Sequence, residues 1–339
     1  MAGTTDTAED GAGQGLVAWA DRHQIALYVL AIAAGVAIGL GVPGSPGLEV
    51  AINPVLATLL YATFLGIPFA ALGRAARDGR FMAAVLVLNF VLVPGVAYGL
   101  SRFVADDPAL LFGVLLVLLT PCIDYVIVFS GLAGAASERL LAASPLLMLA
   151  QFLLLPVYLF LFIGPEGLGV VEPAPFVEAF LVLIVAPLTA AAATQALARR
   201  HRAGARLQEL MHALMVPLMM ATLAVVVASQ AQLASGAAGQ LARVVPVFAG
   251  FLLVMALVGS LTGRVFGLDV PTRRALVFSG ATRNGLVILP LALAVPASLS
   301  LAPAIAITQT LVELIGMIVY VRLVPALVPH PRPTRTPPS

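Results

Sequence analysis

Lysine is absent from this sequence, and its 18 basic residues are all arginine. The P-loop of ATPases needs a lysine after its last glycine, so ATP-driven chemistry at such a loop is excluded. Cysteine occurs once, at Cys122, which excludes an internal disulfide and a metal site built from several thiolates. The Gly-x-Gly-Asp motif of intramembrane aspartyl proteases does not occur either. These absences predict that the chain is not an enzyme and has no cofactor.

Charged residues are also scarce. They make up 10% of the chain and apolar residues 61%, whereas soluble domains average about 25% and about 45–50%. The mean hydropathy is +1.05. The net charge of +2 provides no basic surplus for nucleic acid. The four histidines lie outside the long apolar stretches or at their edges, so a histidine metal site is not expected. The composition therefore predicts an all-α polytopic membrane protein whose partner is the lipid bilayer.

The apolar residues fall into ten stretches, each near the roughly 20 residues that a membrane-spanning helix needs. The predicted spans are 24–42, 51–73, 81–103, 109–134, 140–163, 176–198, 209–230, 244–266, 275–297 and 301–324. The polar, glycine-rich residues 1–15 and the proline-rich residues 325–339 are predicted to be disordered tails.

The arginines are distributed unevenly between the predicted loops. If the N-terminus is cytoplasmic and the spans alternate, fifteen of the 18 arginines lie on the cytoplasmic side. The outer loops contain only Arg102 and Arg243, and Arg283 lies within a span. Cytoplasmic loops are enriched in arginine and lysine, so this asymmetry supports the ten-span count. It predicts a plasma-membrane protein with both termini in the cytoplasm.

Ten spans divide into two groups of five, 16–163 and 164–324, and an odd number of spans inverts the second group relative to the first. The fourth span of each group is interrupted by polar and helix-breaking residues. The interruptions are Leu119-Thr-Pro-Cys-Ile-Asp124 and Phe278-Ser-Gly-Ala-Thr-Arg-Asn-Gly285. Paired interruptions in an inverted repeat are typical of the substrate site of a secondary transporter.

The first interruption contains the only cysteine. Thr120 and Pro121 have the pattern of an N-cap and a first helical residue. We therefore expect them to begin a half-helix whose first turn contains Cys122 and Asp124, where the helix dipole favours negative charge. The alternative is a simple proline kink in which Cys122 serves as a small apolar residue.

The second interruption places Arg283 and Asn284 between two helix-breaking glycines, Gly280 and Gly285. A charge at the centre of a span costs about 2.5–3.5 kcal/mol on insertion scales. Arg283 and Asp124 would offset this cost by pairing across the two interruptions. Alternatively, Arg283 lies near the cytoplasmic end and extends to the lipid headgroups.

Glu313 is the acid of the tenth span. At membrane depth it must be neutral or paired, which makes it a candidate carrier of a coupling proton. The alternative is a polar network with Gln309 and Thr310. Other polar residues within spans, such as Asn89 and Gln151, are interpreted as ordinary hydrogen-bonding groups between helices.

Three stretches, Thr120–Phe129, Ala281–Ala294 and Leu311–Gly316, resemble the bile acid/sodium symporter superfamily, and specifically its arsenical-resistance branch of Acr-type arsenite permeases. The resemblance implies a panel domain and a core domain, with spans four and nine as two crossing discontinuous helices. It also implies roles in arsenite extrusion for the cysteine after the proline in span four, here Cys122, and for the glutamate of span ten, here Glu313.

Asn284 matches a polar residue common in the ninth helix of that branch. Asp124 departs from the pattern, because the arsenite permeases usually have small uncharged or hydroxyl residues after the Pro-Cys pair. This departure leaves the substrate and the coupling ion open.

Two functions are consistent with these residues. The first is export of trivalent arsenic, as arsenite or antimonite, in exchange for protons. Cys122 is then the As(III) ligand, because As(III) prefers soft sulfur donors. Thr120, Asn284 and Arg283 complete the substrate site, and Asp124 or Glu313 takes up the proton.

The second function is sodium-coupled uptake of an organic anion. Arg283 then binds the carboxylate or sulfate of the substrate. Asp124, Thr120, Asn284 and unwound backbone carbonyls bind the sodium ion.

Overall fold

The structure is a computed structural model of the 339-residue chain. It describes residues 6–42, 45–66, 78–122, 125–168, 178, 181–285 and 287–329. The predicted site residue Asp124 lies outside these ranges, as do most of the C-terminal tail and the first five residues. Residues 6–15, which belong to the stretch predicted as a disordered tail, are helical.

The described residues form helices joined by short turns, as the composition predicted. In chain order the α-helices are α1 (Asp6–Gly41), α2 (Glu49–Gly66), α3 (Gly79–Val87), α4 (Val93–Ser101), α5 (Pro108–Leu118), α6 (Tyr125–Leu132), α7 (Ser137–Leu168), α8 (Ala186–Ala198), α9 (Arg202–Ala213), α10 (Met215–Gly236), α11 (Ala238–Val265), α12 (Val270–Ala281), α13 (Leu289–Leu293) and α14 (Ala302–Leu327). Two π-helical turns, Leu88–Leu92 and Leu181–Val185, precede α4 and α8.

Six helical segments in the described ranges are long and apolar enough to cross a membrane. They are Arg22–Gly41, Gly79–Val104, Ser137–Gly164, Met215–Gln232, Ala238–Val265 and Ala297–Leu327. Each overlaps one of the ten predicted spans. Of the other four predictions, 109–134 and 275–297 fall on interrupted helices, 51–73 falls on the shorter α2, and 176–198 is described only in part. The count of ten and the inverted repeat remain predictions.

The chain divides into two compact units, each made of three separate segments. The first unit comprises Met1–Ile67, Glu172–Leu241 and Leu289–Ala304, and the second comprises Pro68–Val171, Ala242–Ile288 and Ile305–Ser339. Each unit therefore contains segments from both predicted repeats. The predicted site residues that the structure describes all belong to the second unit.

In the first unit, α1 packs closely against α10 through glycines. A Cβ atom added at Gly39 would lie 2.5 Å from the carbonyl oxygen of Ala228 and 2.6 Å from Cβ of Ala231. One turn earlier, a Cβ at Gly35 would lie 2.8 Å from the carbonyl oxygen of Ala224. Small residues let the backbones of membrane helices approach each other in this way.

Gly39→Ala is expected to lower the thermal unfolding temperature, because the added methyl group forces α1 away from α10. Overpacking of this kind costs about 1–3 kcal/mol. The matched control is Gly99→Ala in α4, where an added Cβ meets no atom within 4 Å. Thermal unfolding of both variants in detergent checks the prediction, and equal unfolding temperatures would contradict the close packing.

In the second unit, α12 packs closely against two neighbours. A Cβ at Gly259 of α11 would lie 2.9 Å from Cα of Val277, and one at Gly280 would lie 2.7 Å from a methyl carbon of Leu88. At the other end of α12, the buried Arg274 donates hydrogen bonds to the carbonyls of Val328 and Ala133. These contacts hold α12 in a defined position and therefore fix where its C-terminus lies.

An ion pair joins the turn after α4 to α11, both in the second unit. Arg243 lies 2.5 Å from the carboxylate of Asp106, and both side chains are exposed. The hydrogen bond from Arg243 holds the pKa of Asp106 below its usual value. One of the two arginines predicted on the outer side therefore has an acidic partner from a neighbouring turn.

Candidate functional site

The two interrupted helices meet at their interruptions. Helix α5 ends at Leu118 and α6 begins at Tyr125, while α12 ends at Ala281 and α13 begins at Leu289. Both linking segments contain residues singled out from the sequence. A membrane tolerates non-helical backbone only where it is buried in protein or lines a cavity, so these segments need partners within the protein.

The two linking segments supply those partners to each other. The backbone N–H of Cys122 donates to the carbonyl of Thr282 at 3.1 Å, and the N–H of Asn284 donates to the carbonyl of Thr120 at 2.9 Å. An isolated antiparallel β-bridge between Pro121 and Arg283 lies within this pairing. The hydrogen bonds therefore bring the Cys122 and Arg283 backbones into one site.

Thr120 and Pro121 do not begin a half-helix, and that expectation is wrong. The Thr120 hydroxyl donates to the carbonyl of Val117 at 2.8 Å and contacts that of Leu116 at 3.3 Å. Threonine thus satisfies carbonyls that the end of α5 leaves without helical partners. Pro121 has no N–H to donate to a helical carbonyl, so α5, which ends at Leu118, cannot continue through this position. The next described helix is α6, which has Tyr125 as its first residue.

Cys122 is buried, with 1% of its surface exposed. Its position in the linking segment is fixed by the bond from its own N–H to Thr282. Because it is the only cysteine of the chain, it is also the only thiol available to a soft substrate. The predicted pairing of Asp124 with Arg283 falls on a residue outside the described ranges and stays a prediction.

Arg283 is completely buried, which excludes the alternative that it extends to the lipid headgroups. Its Nη2 atom donates to the Asn89 side-chain oxygen at 2.8 Å and to the carbonyls of Ser279 and Gly280 at 2.8 and 2.9 Å. Its Nη1 atom lies 3.4 Å from the carbonyl of Leu118. The guanidinium is therefore surrounded by oxygen atoms near the ends of α5 and α12.

Glu313 on α14 contacts the second interruption. Its Oε2 atom accepts the backbone N–H of Arg283 at 2.8 Å and also accepts a short hydrogen bond from Gln309. The side chain is 1% exposed. The contact with Gln309 matches the alternative of a polar network, whereas the Thr310 hydroxyl donates to the carbonyl of Ala306 in its own helix. Glu313 thus belongs to this network and touches the site.

Asn284 and Gly285 shape the turn after Arg283. The side-chain oxygen of Asn284 accepts the N–H of Val287 at 3.1 Å. A Cβ at Gly285 would lie 2.9 Å from the Thr310 hydroxyl and 3.2 Å from the carbonyl of Ala306, so a larger residue would press against α14. Gly280, predicted to flank the interruption, lies within α12.

Asn89 is a site residue that sequence reasoning missed. It lies in the π-helical turn Leu88–Leu92, and its amide nitrogen donates to the carbonyl of Val85 and to the Ser279 hydroxyl, both at 3.0 Å. These two bonds orient its oxygen toward Arg283. Single π turns within α-helices are frequent at functional sites, but in the sequence Asn89 is one polar residue in an apolar span.

A constricted space adjoins the site within the second unit. It has an empty volume of about 160 Å³ and is too tight to hold a water molecule. Its lining comprises Leu118, Phe248, Phe251, Leu252, Gln309, Val312 and Glu313. The polar side chains of Gln309 and Glu313 therefore lie beside aromatic and aliphatic side chains, and such low-polarity surroundings strengthen electrostatic interactions.

Comparisons with known proteins identify the family of this chain. The Sodium Bile acid symporter family matches residues 53–237, which is more than half of the chain and includes Asn89 and Cys122. The Arsenical-resistance protein Acr3 of Corynebacterium glutamicum is 26% identical over 161 residues. That match covers 44% of this chain and 44% of the relative's length. The chain belongs to the Sodium Bile acid symporter family.

Proposed function

We propose that this protein exports trivalent arsenic, as arsenite and also antimonite, across the plasma membrane in exchange for protons. The observation that carries the proposal is the buried thiol of Cys122 in a linking segment that hydrogen-bonds to the second interruption. As(III) prefers sulfur ligands. A single thiolate gives a weak and reversible bond, which suits a carrier that must release its substrate. The similarity to an arsenical-resistance protein supports the same substrate class.

The remaining residues of the two interruptions complete the proposed site. The thiol of Cys122 replaces one hydroxyl group of neutral arsenite, forming an As–S bond and releasing water, and Thr120 and Asn284 contribute polar groups beside it. Arg283 acts chiefly through its charge, because its Nη2 atom already donates to three protein oxygens. Arsenite is mostly neutral at neutral pH, so its binding requires no cationic side chain.

Glu313 is the proposed proton carrier, with Asp124 as a second candidate. An ionised carboxylate accepts hydrogen bonds on both oxygens, whereas a protonated one has less acceptor capacity. Protonation of Glu313 would therefore weaken its bonds from the Arg283 N–H and from Gln309. This change would alter the second interruption itself, which gives the proton a way to influence the substrate site.

Sodium-coupled uptake of an organic anion is the second candidate, and the family description favours it. In that mechanism the guanidinium of Arg283 binds the carboxylate of the substrate. The substrate would then have to replace acceptors that Arg283 already has in Asn89, Ser279 and Gly280.

Everted membrane vesicles distinguish the two functions. Cells lacking their own arsenite exporters are made to express the chain, and their vesicles are energised so that the lumen becomes acidic. We expect labelled arsenite to accumulate, a protonophore to abolish the accumulation, and replacement of sodium by choline to leave it unchanged. Vesicles without the protein are the control. Sodium-dependent accumulation of a labelled organic acid in intact cells, without arsenite transport, would favour the second candidate.

A further inference from the structure

The Arg283 guanidinium lies where two helices end. Leu118 is the last residue of α5, and Ser279 and Gly280 belong to the last turn of α12. The last carbonyls of a helix have no partner within that helix, and the helix dipole makes this end negative. The hydrogen bonds of Arg283 to Leu118, Ser279 and Gly280 therefore satisfy carbonyls at the negative ends of two helices at once.

Oxygen atoms arranged in this way are also suitable ligands for a small cation. Unwound carbonyls and the C-terminal ends of half-helices coordinate sodium ions in transporters with interrupted helices. Here the Asn89 side-chain oxygen and the carbonyl oxygens of Ser279 and Gly280 lie within 2.9 Å of Nη2 of Arg283, and the carbonyl oxygen of Leu118 lies 3.4 Å from Nη1. The centre of the Phe251 ring lies 5.6 Å from the guanidinium carbon, and the ring presents its face to the cation.

We propose that Arg283 is a built-in cation that takes the place of a coupling sodium ion at the meeting point of the two interrupted helices. Transport by this chain then needs no sodium, although the chain belongs to a family described by sodium symport. The inference rests on the proposed function only where arsenite transport is measured. The effect of sodium on the purified protein can be measured independently of that function.

The neighbours of Arg283 are better suited to a permanently bound guanidinium than to one that exchanges its hydrogen-bond partners for substrate in each transport cycle. Asn89 is oriented by Val85 and Ser279, so its oxygen is already aimed at the guanidinium. The Glu313 carboxylate, bonded to the backbone N–H of Arg283, supplies a compensating negative charge. A planar guanidinium offers five donors, which a lysine ammonium cannot match.

The test compares the wild type with Arg283→Ala and with a matched control, Arg274→Ala. Arg274 lies on the same helix, is also buried, and also donates to carbonyls, those of Val328 and Ala133. Thermal unfolding of each purified protein is measured in sodium chloride and in choline chloride of equal concentration.

The wild type is expected to unfold at the same temperature in both salts. Both variants should lose stability in choline, with the folded-to-unfolded ratio falling roughly tenfold or more because buried acceptors lose their donors. Only Arg283→Ala should recover stability in sodium, since only its vacated oxygen cluster binds the ion. Arg283→Lys, which retains a cation, should be indifferent to sodium.

Three results would each overturn the inference. The first is sodium-specific stabilisation of the wild type, and the second is arsenite efflux by the wild type that requires sodium. The third is an Arg283→Ala protein that responds equally to both salts. If Arg283→Ala fails to fold, the inference is still tested by the wild type and Arg283→Lys, because sodium-specific stabilisation of either protein would contradict it. If the vesicles accumulate no arsenite but the unfolding temperatures depend on sodium as expected, the proposed function fails and this inference stands.

Discussion

Cys122→Ser is expected to lower arsenite efflux at least roughly tenfold, equivalent to about 1.4 kcal/mol of lost stabilisation. Serine has nearly the same shape, but its hydroxyl is a hard oxygen donor, and As(III) prefers sulfur. The backbone bond from residue 122 to Thr282 does not depend on the side chain, so the linking segment should keep its conformation. Initial rates of arsenite uptake into energised everted vesicles measure the effect.

Ser144→Ala is a suitable control for this substitution. Ser144 is buried in α7, and its hydroxyl donates only within its own helix, to the carbonyl of Leu140. This variant should transport at close to the wild-type rate at equal protein level. Wild-type transport by Cys122→Ser would refute the role of the thiol, and with it the proposed substrate site.

Glu313→Gln should abolish net proton-driven efflux while leaving exchange of arsenite for arsenite. The glutamine amide retains an oxygen that accepts the N–H of Arg283, so the second interruption should keep its geometry. It has no carboxyl group to protonate, and the pH dependence of transport should disappear with the net flux. In proteoliposomes, the measurement compares efflux driven by a pH gradient with exchange between labelled and unlabelled arsenite.

The control here is Glu138→Gln in the first turn of α7, which neutralises an exposed acid of the same unit. It should preserve both net efflux and exchange. If Glu313→Gln keeps an unaltered pH dependence, the coupling proton is not carried by Glu313. Loss of exchange together with net efflux would point to a structural role for this carboxylate.

The sequence was most informative where rare residue types interrupt apolar stretches. A membrane protein was predictable from composition alone, because apolar residues form 61% of the chain. Cys122, Arg283 and Glu313 stood out as polar or reactive side chains in spans, and they lie at or against the two interruptions. Helix-breaking residues and polar residues can be identified directly in the sequence, because recognising them requires no knowledge of the fold.

The errors and omissions concern features that local patterns cannot distinguish. Threonine before proline fits the start of a helix, but at Thr120 the hydroxyl bonds back to Val117 at the end of the preceding helix. Which role prevails depends on the neighbouring chain, here the segment containing Thr282. Asn89 was missed for a related reason, since its partner Arg283 is 194 residues away in sequence.

The most direct test of this account is arsenic X-ray absorption spectroscopy on purified protein loaded with arsenite. We expect one sulfur neighbour of arsenic in the wild type and only oxygen neighbours in Cys122→Ser, because the chain has no other cysteine. An all-oxygen environment in wild-type protein that binds arsenite would contradict coordination by the Cys122 thiol.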